Sequence, residues 1–153
     1  MSDEEIEIPI TFEEPIEDPI VMYLIVREDL GMSLGKICAQ ISHATKLLLL
    51  RYFKITVFQA ALAKRSDIHK IFTAHEEEHV ALTNKWIESR STTITKRAPQ
   101  KDWDKLKQLL GNDCFVVRDA GLTEIPAGSE TVMSLWPMHR SQTPKLVWKL
   151  RNL

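Results

Sequence analysis

Lys36, Gln40 and His43 are spaced four and then three residues apart, so a helix carries them on one face. A lysine there supplies positive charge for a phosphate or a developing oxyanion. A histidine moves protons near neutral pH. The same spacing also suits a solvated polar stripe. A second group gathers around Asp119-Ala120-Gly121-Leu122-Thr123-Glu124 and Gly128-Ser129-Glu130-Thr131. Asp119 follows the apolar run Cys114 to Val117, at a strand end where open sheets place functional side chains. Thr123, Ser129 and Thr131 add hydroxyls, while Gly121 and Gly128 permit tight turns and close approach of a ligand to backbone. Asp119 can orient a water, fix a lysine or simply cap its loop. Lys96 and Arg97, at the exit of the STTITK segment, are candidates for phosphate contact or plain edge positives. A third group, His75-Glu76-Glu77-Glu78-His79, matches HExxH, in which two histidines four apart hold zinc and the first glutamate acts as base. No third ligand is obvious beyond His69 or a distant acid, and the acidic segment reads as an exposed helix face, with no metal expected.

The elements that must position these groups follow from periodicity. Ile20 to Val26 (IVMYLIV) is a continuous apolar run, read as a strand buried on both faces and opened by Pro19. The glycine-bearing loop Arg27 to Gly35 leads to a helix with Ser33 as N-cap and Ile37, Ile41, Ala44, Leu47 and Leu48 at steps of three and four. Gln40, His43 and Lys46 lie on a different face. Helix continues to about residue 64, breaks at Arg65-Ser66-Asp67 and resumes from Ile68 to Glu88. Ser91 to Lys96 reads as a strand, Asp102 to Leu110 as a short helix, Cys114 to Val117 as a buried strand, and Thr131 to Trp136 as a strand that returns antiparallel. Thr143-Pro144 caps a final short helix. The order β-α-α-α-β-α-β-β-α predicts a single α/β domain: a four-stranded mixed sheet with helices on both faces.

Composition adds limits. The 153 residues fit one domain. Residues 1–20 hold eight acids and no base, so the remainder carries 20 bases against 13 acids, a formal +7. That body suits a polyanionic partner, and residues 1–19 read as an acidic arm without stable structure. No signal peptide is visible, and no apolar run approaches the roughly 20 residues of a membrane span, so no membrane partner is expected. Cys38 and Cys114 form no CxxC pattern and read as core residues in a reducing, cytoplasmic setting. Trp86 and Trp103 read as core, with Trp136 and Trp148 the better surface candidates. Walker A, GxGxxG and GxSxG motifs are absent, which counts against nucleotide-dependent and serine-hydrolase chemistry.

Two of the runs are more specific than their spacing. Val26 to Ala44 (VREDLGMSLGKICAQISHA) resembles the opening of the type II peptidyl-tRNA hydrolases, with R-x-D-L-x-M-x-x-G-K followed by A-Q-x-x-H-A. Asp119 to Ile125 (DAGLTEI) is similar to that family's D-A-G-x-T-x-I, and Gly128 to Val132 (GSETV) to its G-S-x-T-V. Trp86 and Thr95-Lys96 fall where the family has a tryptophan and a lysine-ended second strand. The resemblance implies hydrolysis of the ester of N-blocked peptidyl-tRNA, independent of metal or other cofactor, by a protein that commonly forms dimers. It implies Lys36, His43, Asp119 and Thr123 as the catalytic set. It implies Gln40, Lys96, Gly121, Ser129 and Thr131 as substrate or supporting contacts.

The chain departs from that family at three points. Pro126 stands one residue further from Gly128 than usual, Trp136 replaces a small residue and is expected to narrow or cover the site, and a helical insertion falls within about residues 55–88. These departures motivate an alternative: a non-catalytic tRNA- or protein-binding module that keeps the hydrolase fold.

Overall fold

A computed structural model describes residues 17–62 and 73–153. The acidic arm up to residue 16, the helix break at Arg65-Ser66-Asp67 and the segment opening at Ile68 lie outside the described residues. The sheet is organised on β1, Ile20–Arg27, whose residues Val21 to Val26 are all buried. Alternation along a strand sends successive side chains to opposite faces, and both faces of β1 are apolar, so each can support a core. Met22, Leu24 and Val26 pack in one core, Val21, Tyr23 and Ile25 in the other.

Helix α1, Leu34–Leu62, and helix α2, Ala74–Glu88, cover the first face through Ala44, Leu48, Ile55, Val80 and Trp86. Helices α3, Gln100–Leu110, and α4, Lys145–Lys149, cover the second through Trp103, Leu106 and Val147. Helices on both faces of a mixed sheet are as predicted, but the strand count is not four. Between the helices run β2, Thr93–Ala98; β3, Cys114–Arg118; β4, Glu130–Leu135; β5, Met138–His139; and β6, Arg151–Asn152. The sheet is six-stranded, in the order β3-β4-β1-β2-β6, with β5 paired to β1. β1 and β2 are parallel; β4 runs antiparallel to both β1 and β3. The two extra strands are only two residues long, too short to leave a periodic signal. β5 arises because the β4 strand runs on past Trp136-Pro137 and rejoins β1 with its register shifted by one residue (Leu24 pairs Ser134, Ile20 pairs His139).

Helix starts are set by local bonding. Ser33 caps α1 through its hydroxyl on the Lys36 amide at 3.3 Å. Thr73 is extended and forms a capping box with Glu76, which starts α2 at Ala74. Trp136 is buried, contrary to its reading as a surface residue, and Cys38 is exposed rather than core. Trp148 is exposed as expected.

Leu48 lies wholly out of solvent beneath α1, whereas Leu34 at its first turn is 73% exposed. Leu48→Ala is expected to lower unfolding free energy by about 2–5 kcal/mol, and Leu34→Ala by less than about 0.5 kcal/mol. Urea unfolding of both variants checks this; equal effects would contradict the placement of the core.

Candidate active site

The parallel strands β1 and β3 deliver their C-terminal ends to one edge of the sheet, beside the N-terminal turns of α1. Asp119, one residue past β3, is buried there. Its Oδ2 accepts from the Lys36 ammonium at 2.6 Å and from the Gln40 amide at 2.7 Å. Its Oδ1 accepts from the Gly121 amide at 2.7 Å. Gln40 is itself oriented: its Oε1 accepts from the Thr131 hydroxyl at 2.7 Å, which leaves the amide nitrogen facing Asp119. Gln40 is buried in line with Ala44 and Leu48, at steps of four along α1. Sequence spacing put it with Lys36 and His43, but not inside the core. A buried amide needs partners for both ends, and Asp119 and Thr131 supply them.

The loop after Asp119 is tied to α1 at two further places. The Lys36 ammonium donates to the Thr123 hydroxyl at 2.9 Å. Glu124 accepts from the Ser33 amide at 2.8 Å and the Ser33 hydroxyl at 2.5 Å. Glu124 stood in the Asp119–Glu124 run, but its pairing with Ser33, 91 residues away, was not legible from spacing. The loop closes on itself: the Gly128 amide donates to the Asp119 carbonyl at 2.7 Å, and the Ser129 amide and hydroxyl both donate to the Pro126 carbonyl. Gly121 is indispensable to this path. Its φ is +74°, and a Cβ there would sit 2.4 Å from the Ala127 nitrogen.

Between α1 and this loop lies a cleft of about 670 Å³, lined by Lys36, Gln40, His43, Asp119 and Thr123. Lys46, Leu47, Arg118 and Leu122 extend it outward. Lys46 continues the helix stripe one step past His43, a signal that was visible in the spacing. Arg118, paired with Glu130 at 2.9 Å, came from the strand end. Ser129 and Thr131 stand behind the cleft as loop and amide supports. Lys96 does not join the cluster: it pairs with Ile25 on the opposite face of the sheet, and its ammonium donates to the Leu150 carbonyl at 3.1 Å. Trp136 neither lines nor covers the cleft. It stacks on His79 at 5.1 Å between ring centres and abuts Phe115, at the other end of β3.

The bonds from Lys36 and then Gly121 hold the Asp119 carboxyl below the usual carboxylate range, against the opposing effect of burial. Bonds from Ser33 depress Glu124 in the same way. Asp119 is therefore ionised at neutral pH and a weak base, with both acceptor positions of Oδ2 and one of Oδ1 occupied. Its chief effect is to fix the Lys36 ammonium at the cleft wall.

The sequence from β1 onward matches the family model described as Peptidyl-tRNA hydrolase PTH2, over residues 20–153. The chain belongs to this family. It is 32% identical over 140 residues to Peptidyl-tRNA hydrolase 2 of Saccharomyces cerevisiae, a match covering 89% of this chain and 59% of the yeast protein. It is 25% identical over 131 residues to the Peptidyl-tRNA hydrolase of Thermococcus sibiricus, covering 84% of this chain and 92% of that protein. The Methanopyrus kandleri Peptidyl-tRNA hydrolase is 28% identical over 131 residues, with 83% and 92% covered. The chain thus spans about three-fifths of the yeast relative and nearly all of the archaeal ones. The family model begins at β1, so every side chain of the Asp119 cluster falls within the matched region.

Two outcomes follow from this geometry. A depressed carboxyl contributes stability that is complete above its unfolded-state range and is lost as pH falls through its folded-state value. In Lys36→Met the Asp119 carboxyl is expected to titrate at higher pH, with a shallower loss of stability on acidification. Carboxyl-carbon NMR and acid titration read both; an unmoved Asp119 titration would contradict the pair. Gly121→Ala is expected to displace the loop and to free the Asp119 carboxyl from the residue-121 amide, so that it titrates at higher pH, checked by carboxyl-carbon NMR alongside a folded-state spectrum.

Proposed function

We propose that this protein hydrolyses the ester linking a peptide to tRNA, releasing the peptide acid and free tRNA. The observation that carries this reading is the Lys36–Asp119 pair, set at the wall of a cleft that is basic along its rim and coincides with the motifs of the family. The substrate, an N-blocked peptidyl-tRNA, is a polyanion with one reactive carbonyl. Lys46 and Arg118 are placed to meet backbone phosphates near that carbonyl.

The chemistry needs a polarised carbonyl, an attacking water and a proton path. The Lys36 ammonium, immobilised by Asp119 and Thr123, stabilises the oxyanion that forms when water oxygen bonds to the carbonyl carbon. Asp119 has one lone pair of Oδ1 left beyond its bond to Gly121, enough to hold that water but not to act as a strong base. His43 is the imidazole in the cleft. It takes the water's proton and returns it to the ribose oxygen as the ester C–O bond breaks. No step requires a metal.

The test is release of the peptide from N-acetyl-aminoacyl-tRNA by purified protein. Turnover is expected for wild type, with the unblocked aminoacyl-tRNA cleaved more slowly. No release, under conditions where a known peptidyl-tRNA hydrolase works, would refute the reading. Lys46→Ala is expected to weaken tRNA binding at every sequence and to reduce the slope of log affinity against log salt by about 0.7–0.9. An unchanged slope would place Lys46 outside the phosphate path.

A further inference from the structure

A second cluster of ligating side chains lies at the opposite end of β3. His75 and His79 stand one turn apart at the start of α2, and Asp113 occupies the 3-10 turn just before β3. The His75 Nε2 lies 3.0 Å from both carboxylate oxygens of Asp113 and 3.1 Å from the His79 Nε2. The His79 Nε2 lies 3.4 Å from Asp113 Oδ1. Zinc bonds of about 2.0–2.1 Å in a tetrahedron set neighbouring ligand atoms roughly 3.3 Å apart. The three edges of this triangle bracket that value. Asp113 is the third ligand missing from the HEEEH run, and only the fold brings it there, 34 residues beyond His79.

We propose that His75, His79 and Asp113 form a binding site for a zinc-class divalent cation, which clamps the first turn of α2 to the turn preceding β3. Two imidazoles and one carboxylate are a donor set suited to such ions. The His79 ring is held in place from behind by stacking on Trp136, at 11° between planes. His75 is the exposed member, with 57% of its side chain open, so a solvent molecule can take the fourth position. A helix N-terminus repels a cation, but Glu76, Glu77 and Glu78 add three negative charges to this turn, and Glu78 lies near enough to His79 to act on its charge. The Nδ1 of His79 is buried without a hydrogen-bond partner. The ring therefore lacks the acceptor that raises ligand basicity, which sets the affinity below that of a closed structural site.

The site is not a hydrolytic HExxH centre. Glu76, which would be the base, is committed to the capping box with Thr73 and to Arg51 at 2.5 Å. Asp113 and Asp119 flank β3 at opposite ends, roughly 20 Å apart at about 3.3 Å per residue. The clamp and the ester-cleaving cleft are separate, and the inference does not rest on the proposed activity.

The test titrates the chelator-treated 153-residue chain with Co²⁺ as a spectroscopic probe and with Zn²⁺ in competition, and records thermal unfolding with and without Zn²⁺. Expected are one equivalent per chain, visible Co²⁺ bands of low-coordinate type, and a higher unfolding midpoint with Zn²⁺. His75→Ala and Asp113→Asn, both at exposed side chains, are each expected to weaken binding by about tenfold or more and to remove the Zn²⁺-dependent rise in midpoint. Absence of saturable binding, or binding undiminished in either folded variant, would overturn the proposal. So would histidine NMR spectra that respond to pH but not to Zn²⁺, the mark of a proton-bridged His–His–Asp network only.

Discussion

The candidate active site depends on one ion pair that is not free to choose its geometry. Lys36 and Asp119 come from a helix and a strand end 83 residues apart in sequence, and their charged atoms meet at 2.6 Å. An ammonium on a four-carbon stem is mobile in water, and a surface lysine–carboxylate pair contributes little. Here both partners are largely out of solvent, and the carboxylate is already fixed by Gln40 and Gly121. Gln40 is fixed in turn by Thr131 on β4. The chain of bonds therefore runs from one strand, through the helix core, to the next strand's end. Electrostatic stabilisation of a transition state requires donors that do not reorganise during reaction, and this network provides that rigidity for a flexible side chain.

The wider fold serves the same constraint. β1 is apolar on both faces, which allows helices on either side and buries the sheet that sets the spacing between β3 and α1. The loop from Asp119 to Ser129 is held to α1 through Lys36 and Ser33, and to itself through Gly121, Gly128 and Pro126. The displaced proline is absorbed within that turn: its carbonyl accepts both bonds from Ser129, while Ala127 fills the space a side chain on Gly121 would need. β3 thereby joins two polar clusters of different kinds. One end presents a hydrogen-bonded carboxylate and a fixed ammonium; the other presents a carboxylate and two imidazoles, of which His79 stacks on Trp136.

Much of this was legible in the sequence because it is local. The IVMYLIV run, the 34–62 helix, the α3 turn and the β3–β4 return each follow from periodicity over a few residues. Lys36, Gln40 and His43 shared a helix face by spacing, and the Asp119 motif stood at a strand end. What was not legible depends on long-range placement. Gln40 looked like part of a polar stripe, yet it is a core residue, because its two partners arrive from β3 and β4. Lys96 looked like a site cation; strand register turns it to the other face. Trp136 looked like an obstruction to the cleft, but β4 runs antiparallel to β3, so its end lies beside Cys114, away from Asp119, and Trp136 meets His79 there. Asp113 had no visible link to His75 and His79 until α2 was laid across the start of β3. The helix start at Ala74 was obscured because Thr73 and Glu76 cap it within a run that otherwise reads as continuous helix.

The central claim is that Lys36 and Asp119 act as a unit in ester cleavage. The most direct test is a double-mutant cycle on peptide release from N-acetyl-aminoacyl-tRNA, with Lys36→Ala, Asp119→Ala and both together. Each single change is expected to lower turnover by roughly 100- to 1,000-fold, and the double variant to be no worse than about the larger single loss. Losses that multiply in the double variant would contradict the account, as they would show the two residues contributing independently.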